Sequence, residues 1–310
     1  MRILMLNYEY PPLGGGGGVA AAKLATEIVR RGHEVDYITT HFTGLAPEET
    51  IDGVRLFRER VRGRTGLQTA SIVSMLDFPR VAVRRALRLR KQGAYDVIHT
   101  HFAIPSGPAG YVLSKWWRLP NVLSVYGGDI YDPSKSYSPH RHPVLKFAVK
   151  RVLNQARIII PESEDLCRRV RDLFKPRTPV LRIPLGYTPY AFTPCSRGSL
   201  GLREDAVYAI AVSRLVARKD YPSLLRALQR SAAERLELII VGDGPEEPAL
   251  RALAEELGIA GRVHFMRHVD EDRKYALLDA ADFFCLATLH EGFGIVYQEA
   301  MQCGLPIATT

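Results

Sequence analysis

The sequence predicts an α/β protein built from two doubly wound, Rossmann-like domains that face a cleft. Short apolar runs alternate with helix-like stretches along most of the chain, as strands and helices do in parallel sheets. The chain has 310 residues, more than one hydrophobic core usually supports. A segment rich in Pro, Gly and Ser at residues 191–201 interrupts the alternation. We therefore expect a first domain over residues 1–190, a linker over 191–201 and a second domain over 202–310.

The first domain is expected to open with a strand, a glycine-rich loop and a helix. The strand covers residues 1–7, five consecutive glycines follow at 14–18, and the helix covers residues 19–31. Further strands are predicted at 34–40, 95–99, 122–125 and 157–160, and further helices at 80–91, 106–117 and 144–155. This order is typical of a doubly wound parallel sheet.

The second domain repeats the same alternation but is expected to be incomplete. Strands are predicted at 207–213, 237–241, 263–266, 282–287 and 306–309, and helices at 221–231, 245–257, 273–281 and 295–303. The sequence stops at Thr310, directly after the last of these strands. We therefore expect a Rossmann-like domain that is truncated at its C-terminus.

The charge balance favours an acidic partner. Lys and Arg number 42 against 33 Asp and Glu, giving a net charge of +9. Nucleotide phosphates, nucleic acid and anionic lipid would all fit this charge. One basic run contains no acidic residue: Arg80, Arg84, Arg85, Arg88, Arg90 and Lys91. Aromatic residues do not interleave it, which disfavours nucleic acid. Docking to an anionic membrane and an ordinary solvated helix face both remain open.

The cysteines and the apolar runs bear on the compartment. The four cysteines form no CxxC pair, so we expect reduced thiols rather than disulfides or zinc ligands. No stretch approaches the length of about 18 apolar residues that a spanning helix needs. We expect a cytoplasmic protein, with a possible peripheral position on the inner membrane face.

The densest chemical motif lies at residues 290–304. Two glycines flank Phe293 and precede a predicted helix, so backbone amides at the helix start can bind phosphate. Glu291 lies in the loop, and Glu299 lies one turn into the helix. Carboxylates at these positions can accept hydrogen bonds from the hydroxyls of a sugar or a ribose. Two solvated glutamates around an ordinary helix start are the alternative.

A second motif follows the strand at residues 207–213. Arg214 stands at the carboxyl end of this strand and Lys219 follows in the loop, where open α/β sheets bind ligands. The two cations can neutralise a diphosphate leaving group without a metal. The alternative is a surface loop with two solvated cations.

Three other patterns favour structural interpretations. Residues 270–272 read Asp-Glu-Asp, a metal-diphosphate motif in other transferases, but they precede a predicted helix and are expected to cap it. His99 and His101 lack a third ligand at metal-site spacing, so no metal site is predicted. Because no acidic residue ends the strand at 34–40, the glycine run is not expected to bind NAD.

Eight short motifs follow one another along the chain. They are GGV (17–19), RRGHEV (30–35), DVIHTH (96–101), YGGDIYD (126–132), IPLGYT (183–188), VSRLVARKD (212–220), VGDGPE (241–246) and EGFGIVYQEAMQCGLPI (291–307). In this order they resemble the motifs of retaining glycosyltransferases of family 4, which have the GT-B fold. The resemblance spans the whole chain, and the Glu-x7-Glu signature at 291–299 is its most specific part.

The resemblance implies roles for individual residues in the second domain. Arg214 and Lys219 match the pair that holds the donor diphosphate. Glu299 matches the carboxylate on the donor ribose. Glu291, with the backbone of Gly292, Phe293 and Gly294, matches the loop that holds the donor sugar and its phosphates.

In the first domain, Gly17 and Gly18 match the loop that approaches the β-phosphate. Asp129 matches an aspartate that faces the reacting sugar and the acceptor. Tyr126 stands where the family often has histidine, and a tyrosine is a poorer proton shuttle at neutral pH. Tyr126 and His101 are therefore expected only to contact the acceptor.

The implied function is transfer of a hexose from a UDP- or GDP-linked sugar to an acceptor hydroxyl, with retention of configuration. The acceptor would be a glycan, a lipid or a small molecule. The implied catalytic residues are Asp129, Arg214, Lys219 and Glu291, and neither a metal nor a cofactor is expected. The alternative is a non-catalytic nucleotide-sugar-binding module, or an inactive fragment of a longer transferase.

Overall fold

The computed structural model describes residues 1–67, 70–134 and 137–310. It divides into two compact units, Met1–Gly186 and Tyr187–Thr310. Each unit is an α/β layer structure with one sheet and its own core, as the alternation of apolar runs predicts. No helix among the described residues combines the length and the apolar character needed to cross a bilayer.

Unit 1 is organised around a seven-stranded sheet. The strand order is β3-β4-β2-β1-β5-β6-β7, and every pair is parallel except β3 with β4. The strands are β1 (Arg2–Leu6), β2 (Glu34–Thr40), β3 (Glu48–Ile51), β4 (Val54–Glu59), β5 (Val97–His101), β6 (Asn121–Val125) and β7 (Ile158–Pro161). The chain winds one way from β1 to β2 and the other way from β5, so the carboxyl ends of β1 and β5 flank a topological switch point.

Within the described part of unit 1, five helices cover the two faces of this sheet. They are α1 (Gly16–Arg30), α2 (Ile72–Arg90), α3 (Gly107–Trp117), α4 (Pro143–Gln155) and α5 (Glu164–Phe174). Helices α2, α3 and α4 are neighbours, and the core beneath α2 and α3 includes Leu4, Ile98 and Phe78, all fully buried. Helix α1 packs with Ala21 and Ala25 against a separate cluster. The helices thus bury their apolar sides on the sheet.

Unit 2 has a five-stranded parallel sheet with the order β10-β9-β8-β11-β12. Its strands are β8 (Val207–Val212), β9 (Leu236–Val241), β10 (Val263–Arg267), β11 (Phe283–Leu286) and β12 (Ile307–Thr309). Its helices are α6 (Tyr221–Arg230), α7 (Glu247–Glu256), α8 (Glu271–Ala280) and α9 (Ile295–Gln302). The chain moves from β8 to β9 and β10 and then returns to β11, which places a switch point at the carboxyl ends of β8 and β11.

Several sequence-based boundaries in unit 1 are wrong. Helix α1 begins at Gly16 rather than at residue 19, and β5 is displaced by two residues from the predicted 95–99. Asp96 lies just before that strand, and its Oδ2 accepts from the Arg2 amide at 2.7 Å. The hairpin β3–β4 and helix α5 were not predicted.

Helix α2 begins well before the predicted residue 80. Ser71 caps it, and the side chains of Ser71 and Ser74 each accept from the other residue's backbone amide, a reciprocal capping box. Pro79 lies inside the helix without ending it. The cap and the buried side chains of Ser74 and Phe78 outweigh the proline as a boundary signal.

Candidate active site

The switch point of unit 2 gathers the residues that the sequence singles out there. Arg214 and Lys219 follow β8, and Glu291 to Gly294 follow β11. Because β8 and β11 are adjacent parallel strands, their carboxyl ends lie side by side. A ligand that binds there meets both loops at once.

Lys219 and Glu291 form a direct ion pair. The side chain of Lys219 is 9% exposed and that of Glu291 is 21% exposed. Burial lowers the pKa of Lys219, and the neighbouring Glu291 carboxylate opposes that shift. The structure thus places a buried cation against a loop carboxylate at the switch point.

The two loops are joined by hydrogen bonds to one carbonyl. Arg218 O accepts from the Leu289 amide at 2.9 Å and from Thr288 Oγ1 at 3.2 Å. Lys219 is the next residue, and Glu291 follows two residues after Leu289. This link holds the Lys219 turn against the loop that carries Glu291.

The end of β9 also approaches this site closely. A Cβ at Gly242 would lie 2.1 Å from Ser213 O, and a Cβ at Gly244 would lie 2.2 Å from Leu215 O. Only glycine fits such contacts, so the VGDG segment packs its backbone directly on both sides of Arg214. This explains the role of the glycines in that motif.

Helix α9 points its N-terminus at the same loop. Gly294 precedes the helix with φ +75°, a conformation that suits glycine, and a Cβ there would lie 2.5 Å from the Tyr297 ring. Gly292 and Phe293 lie in the half-buried stretch before it. The first amides of an α-helix have no acceptor within the helix, so this end can bind a phosphate.

Glu299 lies one turn into α9 and has a partner that the sequence analysis missed. Lys274 Nζ on α8 donates to Glu299 Oε1 at 2.9 Å and to Glu271 Oε2 at 2.8 Å. Burial alone would lower the pKa of Lys274, but the two carboxylates outweigh it and the pKa is raised. No sequence signal marks this lysine, because the contact joins two helices.

The three carboxylates of the Asp-Glu-Asp pattern at 270–272 all have partners within the protein. Asp270 caps α8 by accepting from the Arg273 amide at 2.8 Å, Glu271 pairs with Lys274, and Asp272 accepts from the Tyr190 hydroxyl at 2.9 Å. The structure therefore bears out the capping interpretation. Within residues 1–67, 70–134 and 137–310, no cluster of three or more His, Cys, Asp or Glu could hold a metal ion.

The glycine-rich loop of unit 1 encloses a carboxylate. The Gly15 amide donates to Glu9 Oε2 at 3.0 Å, and a Cβ at Gly14 or Gly18 would lie 2.3 or 2.9 Å from the Glu9 side chain. Gly17 instead abuts aromatic rings, since its Cβ would lie 2.5 Å from Phe102 Cζ. Glu9 precedes the glycine run by only five residues, yet no motif marked it.

Tyr126 and His101 are brought together at the carboxyl ends of β6 and β5. The Tyr126 hydroxyl lies 2.6 Å from His101 Nδ1, and the centroids of the His99 and His101 rings lie 4.1 Å apart with the rings tilted by 31°. Burial raises the pKa of Tyr126 well above its usual value, with Glu162 and Asp129 adding to the shift. Burial also lowers the pKa of His101 well below 6.5, so both groups are neutral at pH 7.

Asp129 is hydrogen-bonded to the backbone of Tyr126 and to that of Ala103. Its Oδ2 accepts from the Ala103 amide at 2.6 Å and its Oδ1 from the Tyr126 amide at 3.0 Å. Burial raises the pKa of Asp129 to about 6, although the backbone hydrogen bonds oppose that shift. Asp129 therefore links the ends of β5 and β6 through their backbones.

Comparison with known families decides the identity of the chain. Residues 15–186, more than half of it, match the family described as "Glycosyl transferase 4-like domain", and residues 194–310 match "Glycosyl transferases group 1". The chain belongs to the group 1 glycosyltransferases. For this glycosyltransferase, the two matches confirm the family that the motifs indicate.

Relatives of this glycosyltransferase align along its whole length. An uncharacterized glycosyltransferase of Methanocaldococcus jannaschii is 29% identical over 326 residues, covering 100% of this chain and 80% of that protein. A D-inositol 3-phosphate glycosyltransferase of Mycobacteroides abscessus is also 29% identical, covering 99% and 73%.

Solved structures confirm the GT-B fold of the chain. Sucrose-phosphate synthase from Thermosynechococcus elongatus superposes with a TM-score of 0.85 at 22% identity, covering 99% of this chain and 80% of that chain. HepE of Anabaena in complex with UDP-glucose superposes with a TM-score of 0.75 at 20% identity, covering 100% and 80%.

Proposed function

We propose that this glycosyltransferase moves a hexose from a nucleoside diphosphate sugar to an acceptor hydroxyl, with retention of configuration and without a metal. The observation that carries the proposal is the switch point of unit 2, where Lys219, Glu291 and the N-terminus of α9 converge. A sheet switch point with a cation and a helix N-terminus suits a diphosphate. HepE of Anabaena, which shares the fold, was solved with UDP-glucose.

In the proposed reaction, the bond between the anomeric carbon and the diphosphate oxygen breaks on the face where the acceptor attacks. Arg214, Lys219 and the α9 amides stabilise the negative charge on the departing diphosphate. That diphosphate takes the acceptor proton, so no nucleophile of the protein is needed. Glu291 binds hydroxyls of the transferred sugar, and Glu299 binds the ribose.

Metal independence is proposed for two reasons. The carboxylates that could bind a metal already have partners in the protein, and protein groups can balance the charge of the phosphates. The Asp270, Glu271 and Asp272 carboxylates are already bonded to an amide, a lysine and a tyrosine. Fixed cations and helix amides can balance the diphosphate charge in place of a divalent ion.

The acceptor is proposed to bind on unit 1, at Asp129, Tyr126 and His101. Tyr126 and His101 are neutral at pH 7, so this site suits hydroxyl groups better than a second diphosphate. Gly17 packs beside the same Tyr126 ring, which keeps the glycine loop within reach of that ligand.

A transfer assay tests this function directly. The purified chain is incubated with UDP-, GDP- and ADP-linked hexoses and a panel of polyol, glycan and lipid acceptors, and products are analysed by mass spectrometry. NMR of the product gives the anomeric configuration, and parallel reactions contain EDTA. We expect a glycosylated product of retained configuration with unchanged yield in EDTA. Nucleotide binding without any transfer would instead support the binding module, and an inverted product or loss of activity in EDTA would refute the corresponding part of the proposal.

We also propose that α2 docks unit 1 on an anionic membrane. Its outward stripe has exposed Ile72 and Leu76 in the first turns, followed by Arg80, Arg84 and Arg88 at four-residue spacing. Exposed apolar side chains at the start of a helix, followed by basic residues, suit the interface of an anionic bilayer. Each cation there contributes about 1 kcal/mol to membrane binding.

Vesicle sedimentation tests the membrane proposal. The protein should pellet with phosphatidylglycerol-containing vesicles and remain in solution with phosphatidylcholine alone. Replacing Arg80, Arg84 and Arg88 by Gln should abolish pelleting, whereas replacing the exposed Arg226, Arg230 and Arg235 of unit 2 by Gln should not. Equal pelleting of both triple variants would refute docking through α2.

A further inference from the structure

Lys274 is a buried cation beside the carboxylate that we assign to the nucleotide ribose. Its side chain is 12% exposed, and that of Glu299 is 15% exposed. Its other partner, Glu271, is 59% exposed and therefore well hydrated. An ion pair screened from water is worth more than an exposed one, so the contact with Glu299 dominates.

The surroundings of Lys274 keep it charged and in place. The two carboxylates raise its pKa despite its burial, so it is an ammonium group at neutral pH. Its Nζ lies 4.9 Å from the centre of the Tyr275 ring, and that ring stacks on Tyr190 at 4.8 Å. The lysine is thus held by two carboxylates and one aromatic face.

This contact also restricts Glu299. A glutamate one turn into a helix has several rotamers, and an unbound carboxylate would sample them. The bond from Lys274 Nζ fixes Oε1 of Glu299, and Oε2 is then presented in one orientation with its lone pairs for a ligand. Lys274 does not need to touch that ligand to affect how it binds.

We propose that Lys274 is a positioning residue that holds Glu299 in the orientation in which it accepts hydrogen bonds from the ribose hydroxyls of the donor. The inference rests on the proposed function, because it takes Glu299 as the ribose-binding group. Removing Lys274 should therefore weaken only the binding of nucleotides that carry those hydroxyls.

Calorimetry with paired nucleotides tests this role. The tightest binder among UDP, GDP and ADP is compared with its 2′,3′-dideoxy form. The unchanged protein should prefer the ribonucleotide by about tenfold, the range of a hydrogen bond to a charged group. Lys274→Met should lose most of that preference while its affinity for the dideoxy nucleotide stays the same. Lys274→Arg should restore part of it.

Two further measurements separate positioning from a structural effect. In the transfer assay, Lys274→Met should raise the donor KM about tenfold and change kcat less. Glu271→Gln removes only the exposed partner of the lysine and should keep the preference for ribose. A merely structural role of Lys274 would weaken both nucleotides equally, and the melting temperature of Lys274→Met checks that the variant is folded.

The outcomes distinguish the inference from the function on which it rests. Equal weakening of both nucleotides in Lys274→Met, or full retention of the ribose preference, overturns the positioning role alone. If the unchanged protein binds a diphosphate without any ribose preference, the assignment of Glu299 fails. If it binds none of the three nucleotides, the proposed function fails and the inference falls with it.

Discussion

The carboxyl edges of the two sheets carry polar groups of different kinds. In unit 1 they are the half-buried Tyr126 and the buried His101, which are neutral at pH 7, and the buried Asp129, whose pKa is raised to about 6. In unit 2 they are ion pairs, Lys219 with Glu291 and Lys274 with Glu299. The same type of sheet therefore supports two electrostatically different edges.

The two edges offset the cost of burying polar groups in different ways. A buried charge needs a partner of opposite sign, and unit 2 supplies one from a separate loop or helix. Unit 1 supplies only backbone amides to Asp129, and burial outweighs them and raises its pKa. An edge of paired charges suits a charged ligand that can exchange partners, whereas the neutral Tyr126 and His101 of unit 1 suit hydroxyls.

The largest expected effect comes from breaking a pair in unit 2. Lys219→Met removes a cation from the proposed diphosphate site and should lower transfer about a thousandfold. It also leaves Glu291 without its partner, which should lower the melting temperature. Adding Glu291→Gln to this variant should restore the melting temperature but not transfer. Arg226→Met, on the exposed side of α6, is the control, and near-normal transfer by Lys219→Met would contradict the assignment.

A smaller and pH-dependent effect is expected from the carboxyl group of unit 1. The pKa of Asp129 is raised to about 6 in the folded state, so the folded protein binds a proton more tightly than the unfolded chain. This contribution, about 3 kcal/mol, is present below pH 4 and is lost as the pH rises through 6. The melting temperature of the unchanged protein, relative to Asp129→Asn, should therefore be higher at pH 4 than at pH 7.5. A difference that does not vary with pH would contradict the raised pKa.

The hydrogen bond between Tyr126 and His101 should contribute less. Tyr126→Phe removes the hydroxyl at 2.6 Å from His101 and should destabilise the fold by about 1 kcal/mol. If this hydroxyl contacts the acceptor, the acceptor KM should rise about tenfold while the donor KM is unchanged. Steady-state kinetics at varied acceptor concentration measures this. A rise in the donor KM instead would remove Tyr126 from the acceptor side.

The smallest effect is expected at the cap of α8. Asp270→Ala removes the acceptor for the Arg273 amide and should cost about 1 kcal/mol of stability. Denaturant unfolding measures this loss. Transfer at low temperature should be unchanged, with or without added Mn²⁺, because Asp270 acts on the helix only. A loss of activity that Mn²⁺ restores would identify a metal ligand.

The sequence was sufficient where a signal is local. The strand at Glu34–Thr40 was predicted at its observed bounds, and α9 starts at the predicted residue, since glycines and apolar runs mark both. Helix α5 was missed although Ser163 accepts from the Leu166 amide as its cap.

Contacts between distant segments could not be predicted in the same way. Glu299 was singled out from its motif, but Lys274 lies 25 positions away on another helix and belongs to no motif. Glu9 was overlooked for a related reason, since its carboxylate reaches the glycine loop only after the chain turns at Pro11 and Pro12. Such partners are set by helix packing and loop path rather than by spacing.

Glu9 has a consequence for experiments in phosphate or sulfate. A loop of glycines before a helix is commonly a place where free anions bind, but here a carboxylate of the chain already accepts from the Gly15 amide. Because this acceptor is tethered to the chain, it competes with a free anion as an intramolecular partner. Crystals grown from concentrated sulfate should therefore show no anion on the Gly15 amide, and Glu9→Ala should admit one.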